Sequence, residues 1–194
     1  MPPATLSLSD RALDVRRVVL LFIVGAMVGT LGDRIHTFTG VLRYPNPVIF
    51  DEAWWVPLLM GGAGAFLPAA HALVDKRLGG APQTATMPDV MMAFLWFAGV
   101  YTASGVFKAY PVALAIVFTV TFVVRALAMR LSSTHWTIAL CTGLGGILFE
   151  SGLSSTGAFA YLEPSVISVP LWLAGLYLHL ALLIRAIVCR WPAE

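Results

Sequence analysis

The chain has 194 residues, 59% of them hydrophobic and 11% charged, with a net charge of +2. At a mean hydropathy of +0.85, a water-soluble domain of this length would expose an implausible amount of apolar surface. The basic residues form no separate cluster, which excludes nucleic acid as a partner.

Six apolar runs follow one another, about 18–32, 54–74, 90–107, 112–129, 136–153 and 166–188. A bilayer core about 30 Å thick is crossed by about 20 apolar residues in a helix, which satisfies its own backbone in lipid. The expectation is an all-α polytopic membrane protein, a six-transmembrane-helix bundle forming one domain over 1–194.

The first run follows Arg16 and Arg17 and ends at Asp33 and Arg34 rather than at a small-residue cleavage site, so it is read as a retained helix. Gly25, Gly29 and Gly32 share one face of it, a surface on which a second backbone can approach closely. Asp33 and Arg34 are expected as an interfacial helix end, with a headgroup contact as the alternative. A polar connection with Tyr44, Pro45, Asn46 and Pro47 leads to Trp54 and Trp55, placed with Trp136 and Trp191 as interfacial anchors. In the second run Pro57 suits a first turn, Gly61, Ala65 and Ala69 repeat the small-residue face, and Pro68 is expected to kink the helix or free a carbonyl.

His71 and Asp75 lie four apart, a spacing that can orient an imidazole or supply two metal ligands. Two ligands do not make a site, and the sequence places none of His36, His135 or His179 beside them; no metal and no cofactor are expected. In the third run Gly99 and Ala103 again share a face, and Pro111 opens the fourth, where Arg125 is close enough to the end to snorkel. Ser132, Ser133 and Thr134 before His135 form an ordinary polar turn, without a nucleophile motif. Glu150 in the fifth run is expected to snorkel or to hydrogen-bond within the bundle. Cys141 and Cys189 fall at different depths, so no disulfide is expected. An intramembrane hydrolase or transferase would need polar residues clustered at one depth, and none is evident in the sequence.

Of the 12 Lys and Arg residues, 9 fall in the N-terminal tail, the second and fourth connections and the C-terminal end, and 3, Arg34, Arg43 and Lys108, on the opposite side. Both termini are therefore expected in the cytoplasm.

The segment from Arg17 to Ile23, then Ala53-Trp54-Trp55-Val56-Pro57, then Val74-Asp75-Lys76-Arg77-Leu78-Gly79, resembles the insulin-induced gene (Insig) family. Gly99-Val100-Tyr101-Thr102-Ala103-Ser104 is similar to the family's third-helix pattern, and the stretch from Gly157 to Pro164 to its fifth loop. The resemblance implies six spanning helices with cytoplasmic termini and a non-enzymatic role, in which oxysterol is bound within the bundle and sterol-sensing-domain proteins are retained in the endoplasmic reticulum. Where the family carries an Asp at the cytoplasmic end of its fourth helix, this chain has Ala128, Met129 and Arg130, which argues against retention of those partners. The preference for Arg, Ala, Gly and Pro points to a high-GC bacterium and its cytoplasmic membrane rather than the endoplasmic reticulum of a eukaryote. The expected ligand is then a membrane lipid of sterol-like bulk, or a diacyl glycerolipid of the diacylglycerol type. Its expected surroundings are Gly25, Gly29, Trp55, Tyr101, Thr102, Ala103 and Ser104. Regulatory or scaffold behaviour and a homo-oligomer are expected; a small transporter or an intramembrane lipid-modifying enzyme is the alternative.

Overall fold

A computed structural model describes residues 15–78 and 84–190. The chain runs α1 (Val15–Thr39), β1 (Leu42–Arg43), α2 (Val56–Arg77), α3 (Met87–Val106), α4 (Pro111–Ala128), α5 (Ser133–Ser155), β2 (Ala160–Tyr161) and α6 (Leu173–Arg190). All six helices are long and apolar enough to cross a membrane. The end of the bundle carrying residues 40–55 and 156–172 is called distal below, and the opposite end proximal. Arg11, Trp191 and the Gly79, Gly80 and Pro82 of the second connection lie outside the described residues.

α6 is the axis. Half of its most apolar stretch is buried, 50% against 11% for α1, because it packs against α2, α3, α4 and α5. α1 lies at the periphery against α2 and α3. Its contact with α2 is a backbone approach: a Cβ on Gly25 would stand 2.8 Å from the Gly64 Cα and 2.8 Å from the Met60 carbonyl oxygen. Gly29 faces the Met60 side chain, Gly61 the Phe22 ring and Gly32 the Tyr101 ring. Small residues thus set the spacing where no hydrophobic drive exists between helices in lipid.

Two expected boundaries differ. The first helix continues past Gly32 to Thr39 because Asp33 and His36, 3% and 2% exposed, find partners inside the bundle. It ends in a Schellman motif: Gly40, at φ +68°, lets Val41 N–H reach the His36 carbonyl at 2.8 Å and Gly40 N–H the Thr37 carbonyl at 3.1 Å. The sixth helix begins at Leu173, not near 166, because Val166 and Val169 pair across a tight turn and Pro170 follows it. Pro57, Pro88 and Pro111 occupy first turns, whereas Pro68 is buried inside α2. At the distal end, β1 and β2 pair antiparallel, Leu42 with Tyr161 and Arg43 with Ala160, tying the two long connections together.

Candidate functional site

Seven acids and phenols from six elements and loops converge beneath the distal connections. Tyr44 donates to Asp33 Oδ2 at 2.5 Å, and Tyr101 approaches Oδ1 at 3.5 Å. Tyr177 donates to Glu150 Oε1 at 2.5 Å, and Tyr161 donates to Oε2. Burial first, and then the neighbouring carboxyls, push the Tyr44 and Tyr161 hydroxyls well above their ordinary range, so both keep their protons and act as donors. The remaining acid, Glu52, is fully buried at 0% exposure, and among the described residues neither carboxyl oxygen has a hydrogen-bond partner. Burial, reinforced by Asp33 and opposed by Arg34, lifts its carboxyl to about 8. This is a cluster of polar groups at one depth, which sequence reading did not find.

His36 forms the wall beside it. Ser104 Oγ donates to the Tyr101 carbonyl at 2.7 Å, so the 2.8 Å contact with His36 must be donated by the imidazole Nε2–H. The His36 ring stacks on Tyr101 with centroids 4.3 Å apart.

Above the cluster, a mouth of about 340 Å³ is lined by Ala53, Trp54, Trp55, Pro45 and Asn46 on one side and residues 156–158 on the other. That volume lies at the small end of ligand cavities, about 300–1,000 Å³. Trp55 meets Tyr44 edge-on with centroids 5.6 Å apart, so one aromatic wall separates the mouth from the Asp33 carboxyl.

The seven residues expected around a lipid are dispersed. Trp55 lines the mouth. Tyr101 and Ser104 belong to the buried polar wall, and Ala103 is half-buried against the distal core. Thr102 is exposed on the outer face of α3, and Gly25 and Gly29 are engaged by α2. The helix-end reading of Asp33 and Arg34 is corrected as well: Asp33 turns inward to Tyr44, while Arg34 leaves the bundle to pair with Asp51. Glu150 takes the bundle-facing alternative.

Further polar contacts cross the bundle. Near the proximal end His71 Nε2 lies 2.9 Å from Thr142 Oγ1, and His135 is brought beside Asp75 at 3.8 Å, a neighbour the sequence did not indicate. Arg125 does not run straight to the interface. Its Nη1 donates to His179 Nδ1 at 2.8 Å while its guanidinium covers Trp96 at 5.0 Å, and His179 Nε2–H donates to the Phe118 carbonyl at 3.1 Å. The segment Ala128-Met129-Arg130 closes α4: Arg130, at φ +50°, is the left-handed residue of a second Schellman motif, with Leu131 N–H on the Ala126 carbonyl at 3.0 Å.

No family model matches the chain. It is 26% identical to the insulin-induced gene 1 protein of Danio rerio over 168 residues, 84% of this chain and 67% of that protein. It is 26% identical to the INSIG protein homolog of Mycolicibacterium vanbaalenii over 179 residues, 85% and 81% of the two chains. Among solved structures, the mycobacterial Insig homolog MvINS from Mycobacterium vanbaalenii superimposes with a TM-score of 0.78 at 22% identity, covering 94% of this chain and 99% of that one. A cross-linked MvINS trimer gives 0.76 at 23% identity, with the same coverage. The fold and the matched sequence agree: this chain is an integral membrane protein with the fold of the mycobacterial Insig homolog and with sequence similarity to the Insig proteins.

Proposed function

We propose that the chain is a non-enzymatic lipid-binding protein that holds a sterol-like or diacylglycerol-type lipid at its helix bundle, with regulatory or scaffold behaviour. The observation that carries this reading is the apolar mouth walled by Trp54, Trp55 and Ala53 at the distal end. Its volume suits a ring system or a small head with the start of its chains, and the remaining apolar length would lie along the exposed helix faces. A lipid arriving from the bilayer gains little from apolar burial, so shape and a few polar contacts supply selectivity. The polar residues nearest α3, Tyr101 and Ser104, are engaged with Asp33 and His36, which favours Trp55 and the half-buried Ala103 as the residues that sense ligand shape.

Mass spectrometry of protein purified in mild detergent tests the proposal. One lipid enriched over the bulk membrane composition is expected, and Trp55→Ala or a bulky replacement of Ala103 should reduce it without loss of fold. A lipid profile identical to the bulk would sink the reading. Turnover or flux in proteoliposomes would favour the enzyme or transporter alternative instead. The cross-linked MvINS trimer supports a homo-oligomer here too, and light scattering in the same detergent gives its order. We place the chain in a bacterial cytoplasmic membrane with both termini inside.

A further inference from the structure

Glu52 sits where the chemistry is least settled. It closes a tight hairpin in which Val48 N–H reaches the Glu52 carbonyl at 2.7 Å and Glu52 N–H reaches the Ile49 carbonyl at 2.8 Å. The two residues at the tip, Phe50 and Asp51, both have left-handed backbones at φ +51° and +62°, a conformation costly for side chains other than Gly, Asn and Asp. Arg34 and Thr37 of α1 clip this tip: Arg34 donates to the Phe50 carbonyl at 3.1 Å and pairs with Asp51. The next residues, Ala53, Trp54 and Trp55, form one wall of the mouth. A buried acid without a partner therefore lies at the junction of a strained hairpin and the wall of an opening.

We propose that Glu52 is a proton-controlled latch on the distal mouth: protonated, it stays buried and keeps the hairpin down; on releasing its proton to water it is expelled, and the Ala53–Trp55 wall moves with it. This goes beyond lipid binding and does not depend on it. The groups that act on Glu52 are Asp33 and Arg34 from α1 and Tyr44 from its own connection, and its chain neighbour Asp51 pairs with Arg34. Glu150 of α5 faces them, with Tyr101 of α3, Tyr161 of β2 and Tyr177 of α6 around it. Arg34 is the cation of this set, and it is already paired with Asp51. Tyr44 donates its hydrogen bond to Asp33. Nothing among these groups is left to neutralise a Glu52 carboxylate, and an uncompensated buried charge is expelled or takes up a proton.

The sign follows from linkage. The carboxyl binds its proton more tightly in the closed hairpin, about 8 against the usual 4.5, so the closed form loses stability as pH rises between those two values and changes no further above them.

The test places a reporter thiol by Ala53→Cys, at a site 5% exposed in the closed hairpin, with Cys141 and Cys189 replaced by Ser. Alkylation rates are compared at each pH with the same protein carrying Glu52→Gln, which mimics the protonated acid and cancels the thiol's own titration. The expected ratio is about 1 near pH 4, rising by up to about tenfold per unit until about pH 8. A ratio that stays flat over that range overturns the proposal. Asp33→Asn, which removes the like charge, should end the rise at lower pH; an unmoved midpoint counts against the latch. Should the Gln variant fail to fold, Glu52→Met serves as the uncharged reference in the same alkylation comparison, with the same rise expected and a flat ratio again overturning the proposal.

Discussion

Asp33 and Glu150 show what a buried acid requires. Each is held by phenols, Asp33 by Tyr44 and Tyr101, Glu150 by Tyr161 and Tyr177. Removing one phenolic hydroxyl leaves a desolvated carboxyl oxygen without its donor, which typically costs about 1–3 kcal/mol. Tyr177→Phe should therefore lower the thermal midpoint in detergent. Tyr110→Phe, at a position 65% exposed, should leave it unchanged. The two acids stood out in the sequence as charges at membrane depth, whereas the tyrosines did not. Their roles depend on which loops fold over the bundle, and neither period nor spacing carries that. Glu52 was invisible for the same reason: in an irregular loop, an acid that ends up buried looks like one that does not.

Among the elements, the α1–α2 seam was half legible. The Gly25, Gly29 and Gly32 face predicted close approach, but the backbone that meets Gly25 belongs to Gly64, not to the Gly61, Ala65 and Ala69 face that the sequence suggested. Several small residues at helical spacing leave the register open, and the tightest pair is fixed only by how the helices cross. A methyl at Gly25 would meet the α2 backbone at 2.8 Å, and overpacking of this kind costs about 1–3 kcal/mol. Gly25→Ala should destabilise the protein, while Gly99→Ala, where nothing lies within 4 Å, should not. The hairpin at 48–52 makes an opposite prediction. Phe50 is 59% exposed and left-handed, so Phe50→Asn relieves strain at little packing loss and should raise the midpoint by the equivalent of about 1 kcal/mol. A lowered midpoint would mean that the Phe50 ring has a contact worth more than its backbone strain.

At the scale of the whole molecule, the distribution of charge was the clearest signal in the sequence, and the structure sharpens its meaning. Of the 3 cations on the distal side, Arg34 is paired with Asp51 and Lys108 is tied to the end of α1. The Lys108 Nζ donates to the Thr39 and Gly40 carbonyls at 2.6 and 2.7 Å. These two cations serve the fold: one clips a hairpin, and the other satisfies carbonyls that a helix end leaves without partners. The distal side thus contributes even less to orientation than its count suggests, and the proximal cations should set it. Reporter fusions at Met1 and Glu194 are expected to report the cytoplasm together. Lys108→Met should leave both reporters unchanged while lowering the thermal midpoint by the equivalent of about 1 kcal/mol, the cost of stranding half-buried carbonyls. If Lys108→Met instead shifted the reporters and spared the stability, the residue would be a topological signal rather than a helix cap. A periplasmic reading from either terminus of the wild type would overturn the orientation altogether.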